Sequence, residues 1–156
     1  MYKIIDKKIL NQDVGLMVIE APFVSKNAKP GHFMILRVDK NGERIPMTIV
    51  DSDETTITIV YQKLGYSTTL LSKKEIGDYI LDVVGPLGEA KPIEKVNKVI
   101  GIAGGVGSAP LFPQLKAYHE AGAVVDLIIG GRTKDHLILL DEYKTFCDNI
   151  YIATDD

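Results

Sequence analysis

The stretch Lys98-Val-Ile-Gly-Ile-Ala-Gly-Gly-Val-Gly-Ser-Ala-Pro110 leaves this chain few ways to fold. Residues 99–103 form a short apolar block, the mark of a strand buried on both faces. Gly104, Gly105 and Gly107 then remove Cβ atoms where the backbone must turn sharply, and a helical pattern begins at once, with Ser108 at the expected N-cap. A buried strand, a glycine turn and a helix open a βαβ unit, because parallel strands need a crossover. Unpaired N–H groups and the helix dipole at such a turn attract an anion. Gly104, Gly105 and Gly107 are therefore a candidate seat for the pyrophosphate of a dinucleotide, the plainer reading being a tight turn with no ligand. No Gly-Lys-Ser/Thr follows the glycines, which argues against a nucleoside triphosphatase.

The pattern differs on the two sides of this turn. Before residue 90, β-rich runs at 2–10, 14–20, 32–38, 45–51, 55–61 and 79–84 are separated by Gly, Pro, Asn and Asp clusters. Residues 67–71 read as a short capped helix. Six short strands suggest an antiparallel barrel, favoured over a sandwich because closure hides strand edges. After a polar, proline-containing linker, strand 99–103, helix 109–121, strand 124–129, helix 139–148 and strand 150–153 alternate as a parallel α/β sheet requires. Leu111, Leu115 and Tyr118 share one side of the first helix, and Gly122 suits its C-terminal cap. The expected fold class is β plus α/β: a six-stranded antiparallel barrel domain over 1–90, then a parallel α/β domain over 97–156. Dinucleotide folds are ordinarily two βαβαβ halves, so the second domain reads as partial, its apolar last strand completed by further sequence or another chain.

Composition narrows the function classes. A net charge of −3 with no Lys/Arg run argues against a nucleic-acid partner. No apolar run reaches bilayer length and no signal-peptide core opens the chain, so a cytoplasmic protein without a membrane partner is expected. The single cysteine, Cys147, rules out an intrachain disulfide and reads as a packed thiol. His32, His119 and His136 lack metal-ligand spacing and read as surface residues, so no metal site is expected.

A second constellation lies in the first half. Glu43-Arg-Ile-Pro-Met-Thr-Ile49 sets a guanidinium and a hydroxyl on one strand, and Gly65-Tyr-Ser-Thr-Thr69 combines a glycine turn, hydroxyls and a helix start. An arginine fork opposite a helix N-terminus is a sensible clamp for a pyrophosphate, and a strand hydroxyl such as Thr48 suits a flat heterocycle. Taken singly, Arg44 also reads as a solvated charge, Thr48 as a β-former and Ser67 as a simple cap.

Together with Pro30-Gly-His-Phe33, Gly85-Pro-Leu-Gly88, Ile128-Ile-Gly-Gly-Arg132 and Thr154-Asp-Asp156, these segments resemble the ferredoxin–NADP reductase superfamily, in order and over essentially the whole chain. In that family a flavin-binding β-barrel precedes an NAD(P)-binding α/β domain. The nearest branch is the small flavin subunit of NADH-dependent ferredoxin–NADP oxidoreductase, or sulfide dehydrogenase; the electron-transfer subunit of dihydroorotate dehydrogenase is a near relative.

The resemblance implies an FAD-dependent NAD(P)H oxidoreductase subunit passing electrons to an iron–sulfur partner. It implies a heterodimer with a larger flavin/iron–sulfur catalytic subunit, and ferredoxin as a further partner. Thr48 would tune the flavin near its reactive nitrogen, with Pro46 and Met47 along the isoalloxazine. Arg44, Gly65, Tyr66, Ser67 and Thr68 would hold FAD; Gly104, Gly105, Val106 and Gly107 would admit NAD(P), with Ala109 and Pro110 beginning the helix behind it, and Arg132 would meet the adenosine phosphate. A two-iron, two-sulfur cluster is expected only in the family's continuation past residue 156. One departure concerns the flavin arginine, which in many members sits three residues before the Ser/Thr; here Ile45 holds that place and Arg44 lies one earlier. The alternatives are electron delivery to dihydroorotate dehydrogenase, and a catalytically inert, truncated FAD-binding module.

Overall fold

A computed structural model describes all 156 residues, Met1–Asp156. The chain divides into two compact units, Met1–Ala90 and Lys91–Asp156, each described by itself.

The first unit contains β1 (Tyr2–Ile9), β2 (Val14–Glu20), α1 (Pro22–Asn27), β3 (Phe33–Arg37), β4 (Arg44–Thr48), β5 (Asp51–Ser52), β6 (Thr56–Gln62), α2 (Tyr66–Ser72), β7 (Tyr79–Ile80) and β8 (Asp82–Leu87). All its pairings are antiparallel, in two sheets ordered β5-β6-β2-β1-β7 and β4-β3-β8. Period-two alternation turns Met17 and Ile19 of β2, Ile57, Ile59 and Tyr61 of β6, and Met34 and Leu36 of β3 into one buried core. Ile4, Leu71 and Ile80 complete it.

The expectation of six strands needs correction, because eight strand segments form and their ladders make two sheets rather than one hydrogen-bonded ring. The chain changes sheet three times, between β2 and β3, between β4 and β5 and between β7 and β8, and the last two changes split the runs read as 45–51 and 79–84. At the corner between β4 and β5, Ile49 and Val50 are both buried, and Val50 N–H donates to the Thr58 carbonyl at 2.9 Å. The short α1 was not expected. Its one sequence signal is Pro22 at the helix start, and six residues are too few to display a helical period.

The second unit runs β9 (Lys98–Gly104), a 3₁₀ turn (Gly105–Gly107), α3 (Ser108–Glu120), β10 (Val124–Gly131), α4 (Leu140–Lys144) and β11 (Asn149–Thr154). The sheet is parallel, ordered β11-β10-β9. Its strand direction advances steadily from β9 to β11, so right-handed crossovers put both helices on one face. There Leu111 and Leu115 of α3 press on Gly101, and Tyr143 of α4 packs edge-on against Phe112 at 5.1 Å between ring centres. The opposite face presents Ile100, Ile102, Ile128 and Tyr151, with Ile102 73% exposed. The helix expected over 139–148 forms only as Leu140–Lys144.

On that open face the Asp126 carboxylate receives the Lys98 ammonium at 2.7 Å and the Asn149 amide at 2.9 Å. Both bonds, led by that from Lys98, hold the Asp126 carboxyl below its usual range. A depressed folded-state pKa stabilises the protein above the unfolded value of about 3.9, and this is lost as pH falls through the still lower folded value. Acid unfolding of the second unit, followed by circular dichroism between about pH 5 and pH 2, will therefore lose part of its steepness in Asp126→Asn.

Candidate functional site

The candidate residues of the first unit gather on the outer face of the β4-β3-β8 sheet and at the start of α2. Alternation along β4 sends Ile45 and Met47 toward the core and leaves Arg44, Pro46 and Thr48 on the other face. This accounts for the position of the arginine: the place three residues before Thr48 is an inward one, held by Ile45, and Arg44 shares the outer row with Thr48. Met47 is separated from Pro46 and Thr48, since its side chain packs on the core.

Arg44 pairs with Arg37, and Arg37 with Asp82, in one row across the three strands. The Arg44 guanidinium donates to the Asp82 carboxylate at 2.7 Å, while Arg37 donates to the carbonyls of Gly42 and Lys40 and so shapes the β3–β4 turn. Ser67 joins the two sequence segments. Its hydroxyl, 4% exposed, accepts the Glu43 N–H at 3.0 Å and ties the start of α2 to the residue before Arg44. Ser67 is thus no N-cap; that position is Gly65. Thr68 Oγ1 accepts the N–H groups of Leu64 and Gly65, and the first helical bond is Thr69 N–H to Gly65. The amides of Tyr66 and Ser67 precede that bond and lack helical acceptors. Tyr66 itself is 64% exposed.

In the second unit the glycine turn stands at the C-terminal edge of the parallel sheet, where open α/β sheets bind ligands. Gly104 pairs with Gly130, and Arg132, exposed, follows two residues later at the same edge. The Arg132 carbonyl accepts the Asp155 N–H. Val106 lies within the turn and exposed Pro110 follows it, whereas Ala109 is buried and faces inward. The expected Ser108 cap does not form, because Gly107 is the N-cap and Ser108 already has helical dihedrals. The Ser108 hydroxyl is fully buried and has no hydrogen-bond partner. Such an orphan calls for an explanation.

The glycines can be sorted by what a Cβ would meet. At Gly101 it would lie 2.4 Å from Leu115, and at Gly85 2.8 Å from Met34 Cβ, so internal packing explains both. Gly105 has a φ of +53°, and Gly88 one of +80°. Gly65, Gly104 and Gly107 have neither reason: their backbone suits any residue, and a Cβ would meet nothing within 4 Å, or only the Gly130 carbonyl at 4.0 Å. A Cβ would enter open space at Gly65 in the first unit and at Gly104 and Gly107, the residues leading into Ser108, in the second, and such cradles fit two diphosphates. These residues fit the groups implied by the resemblance.

Cys147 stands apart from both cradles. Burial, then the carboxylates of Asp148 and Asp126, push its thiol up to about 11. No group of three or more His, Cys, Asp or Glu side chains is arranged to hold a metal ion, and no helix is long and apolar enough to cross a membrane.

No protein-family model matches the chain. Over 97% of its length it shares the fold of ferredoxin–NADP+ reductase from Plasmodium falciparum (TM-score 0.77, 22% identity, 67% of that chain). It aligns far more closely with the structure of an NADH-dependent reduced ferredoxin–NADP oxidoreductase described for flavin-based electron bifurcation: TM-score 0.93 and 41% identity, over 99% of this chain and 57% of that one. The chain thus has the ferredoxin–NADP reductase fold. It is also similar to the Thermotoga maritima homologue of the electron-transfer subunit of dihydroorotate dehydrogenase B (NAD(+)), 44% identical over 99% of this chain and 55% of the relative. The chain spans a little over half the length of these nearer relatives.

Proposed function

We propose that this chain is the FAD- and NAD(P)H-binding part of an oxidoreductase subunit that delivers electrons to an iron–sulfur partner. The observation that carries the reading is the trio Gly65, Gly104 and Gly107, whose missing Cβ atoms serve no contact within the protein. The names of the relatives, one an NADH-dependent oxidoreductase and one an electron-transfer subunit, agree with it. The two sheets of Met1–Ala90 act as a barrel-like flavin domain, and 97–156 supplies the nicotinamide domain.

Arg44, freed from Asp82, takes phosphate oxygens of FAD, joined by the amides at Gly65, Tyr66 and Ser67. Thr68 keeps the Leu64–Gly65 turn in shape. Pro46 offers an apolar surface to the ring and Thr48 a hydroxyl that holds or gives a hydrogen bond at its edge. Met47 supports that surface from the core side through its packing and its backbone. Gly104, Gly105, Val106 and Gly107 receive the diphosphate of NAD(P)H, Ala109 and Pro110 open the helix behind it, and Arg132 meets an adenosine phosphate. When bound, FAD supplies the step from two-electron hydride chemistry to single-electron transfer. The protein's part is binding and orientation, so no acid, base or nucleophile is required of it. A two-iron, two-sulfur cluster, a larger catalytic subunit and ferredoxin complete the proposed chain of transfer, in the cytoplasm.

The test is the visible spectrum and fluorescence of the protein titrated with FAD, then with NADH or NADPH without oxygen. Flavin bands that bleach on adding either nucleotide are expected; failure to bind FAD sinks the reading, and FAD binding without bleaching favours an inert module. Arg44→Ala will weaken FAD by about tenfold or more, the worth of a charge-assisted hydrogen bond. Asp82→Asn, which releases the Arg44 guanidinium from an exposed ion pair, will tighten it by up to about fivefold.

A further inference from the structure

Tyr143 is a buried side chain that the proposed chemistry leaves without a task. It is fully enclosed, stacked edge-on against Phe112 and tilted against Phe146 at 5.9 Å. Its hydroxyl makes one hydrogen bond, donating to the Ser108 carbonyl at 2.6 Å, from 35 residues away. Burial first, then neighbouring Cys147, holds this phenol above its ordinary range, so it stays a donor throughout the physiological range.

The place where that bond lands is informative. Ser108 is the first residue of α3, directly after the 3₁₀ turn, and its N–H bonds back to the Gly105 carbonyl. No side chain caps this turn. A glycine-rich turn with no cap is intrinsically loose, and a loose turn must be ordered whenever a ligand binds. The Tyr143 hydrogen bond fastens the end of the turn to α4. Beside that fastening lies the unpartnered, fully buried Ser108 hydroxyl.

We infer that Tyr143 is a positioning residue for the dinucleotide turn, holding Ser108 so that the Gly105–Gly107 amides are aligned before the diphosphate arrives. This inference rests on the reading of that turn as the NAD(P)H site. Tyr143 touches no ligand; it acts through Ser108. The bond ties Ser108 to α4 and lessens the ordering needed on binding.

The experiment measures NADH, NADPH and FAD binding to the whole chain by calorimetry, for the unaltered protein, Tyr143→Phe and Phe146→Leu. Tyr143→Phe keeps the ring packing and removes one hydrogen bond. It is expected to raise the dissociation constant of the preferred nicotinamide nucleotide about fivefold, leaving that of FAD unchanged. Phe146→Leu loosens the same aromatic cluster without touching Ser108, so it should lower thermal stability while leaving nucleotide affinity in place. Equal affinities for Tyr143→Phe and the unaltered chain would overturn the inference alone, as would an equal loss in Phe146→Leu. If the unaltered chain binds FAD but neither nicotinamide nucleotide, the reading of the turn fails, and this inference with it.

Discussion

Replacing Gly107 with leucine leaves the protein folded and weakens its binding of NADH or NADPH by about 10- to 100-fold, the penalty of forcing a side chain into an occupied contact. The fold has no objection to the change. Gly107 sits at φ −59° and ψ −16°, ordinary right-handed helical values, and a Cβ there meets nothing within 4 Å. Removing a glycine from such a position restricts the unfolded chain, so thermal stability should hold or rise by about 0.4–1 kcal/mol. A melting curve and a nucleotide titration on the same sample check both halves. Unchanged affinity would mean that the open space before the turn is only solvent.

Six residues earlier the opposite result is expected. Gly101→Val lowers the stability of the second unit by about 1–3 kcal/mol, the range for overpacking a well-filled interior. A Cβ on Gly101 would lie 2.4 Å from Leu115 Cδ1 and 3.1 Å from Leu111 Cδ2. Leu115 is buried, 4% exposed, so its side chain has little room to retreat and α3 must lift from the sheet. Denaturant unfolding measures the loss. Nucleotide affinity at temperatures where the variant is folded should change less than in Gly107→Leu, since Gly101 lies inside the strand and away from the turn. The two substitutions separate a glycine kept for packing from one kept for a ligand.

In sequence these two glycines look alike. The run from Lys98 to Pro110 announces strand, turn and helix, and all three are there. It does not say which glycine makes room for a leucine and which for a diphosphate, because Leu111 and Leu115 reach Gly101 only once α3 has folded back over β9. Ser108 shows the same limit. A serine before a helix reads as a cap, yet the helix starts one residue earlier than expected and leaves the hydroxyl buried and unpaired.

The first half carries a similar lesson. Alternation disclosed most strands, but not the corners after Thr48 and Ile80, because a strand that changes sheet keeps its β-rich composition. The clamp segments, Arg44 to Thr48 and Gly65 to Thr68, were legible by residue type. Their meeting was not, since it depends on the Ser67 hydroxyl reaching the Glu43 amide across 24 positions. Inward-facing Met47 and the Asp82 counter-charge on Arg44 likewise emerge only from strand register.

What the amino-acid order determined by itself is local: where hydrophobic periodicity changes from two to that of alternating strands and helices, and where glycines and hydroxyls gather at strand ends. Those are short-range consequences of sterics and side-chain chemistry. Only the tertiary structure decided which glycines are enclosed and which stand open, and which phenol fastens which turn. Proximity between residues far apart in the chain is settled by packing, and no stretch of sequence contains it.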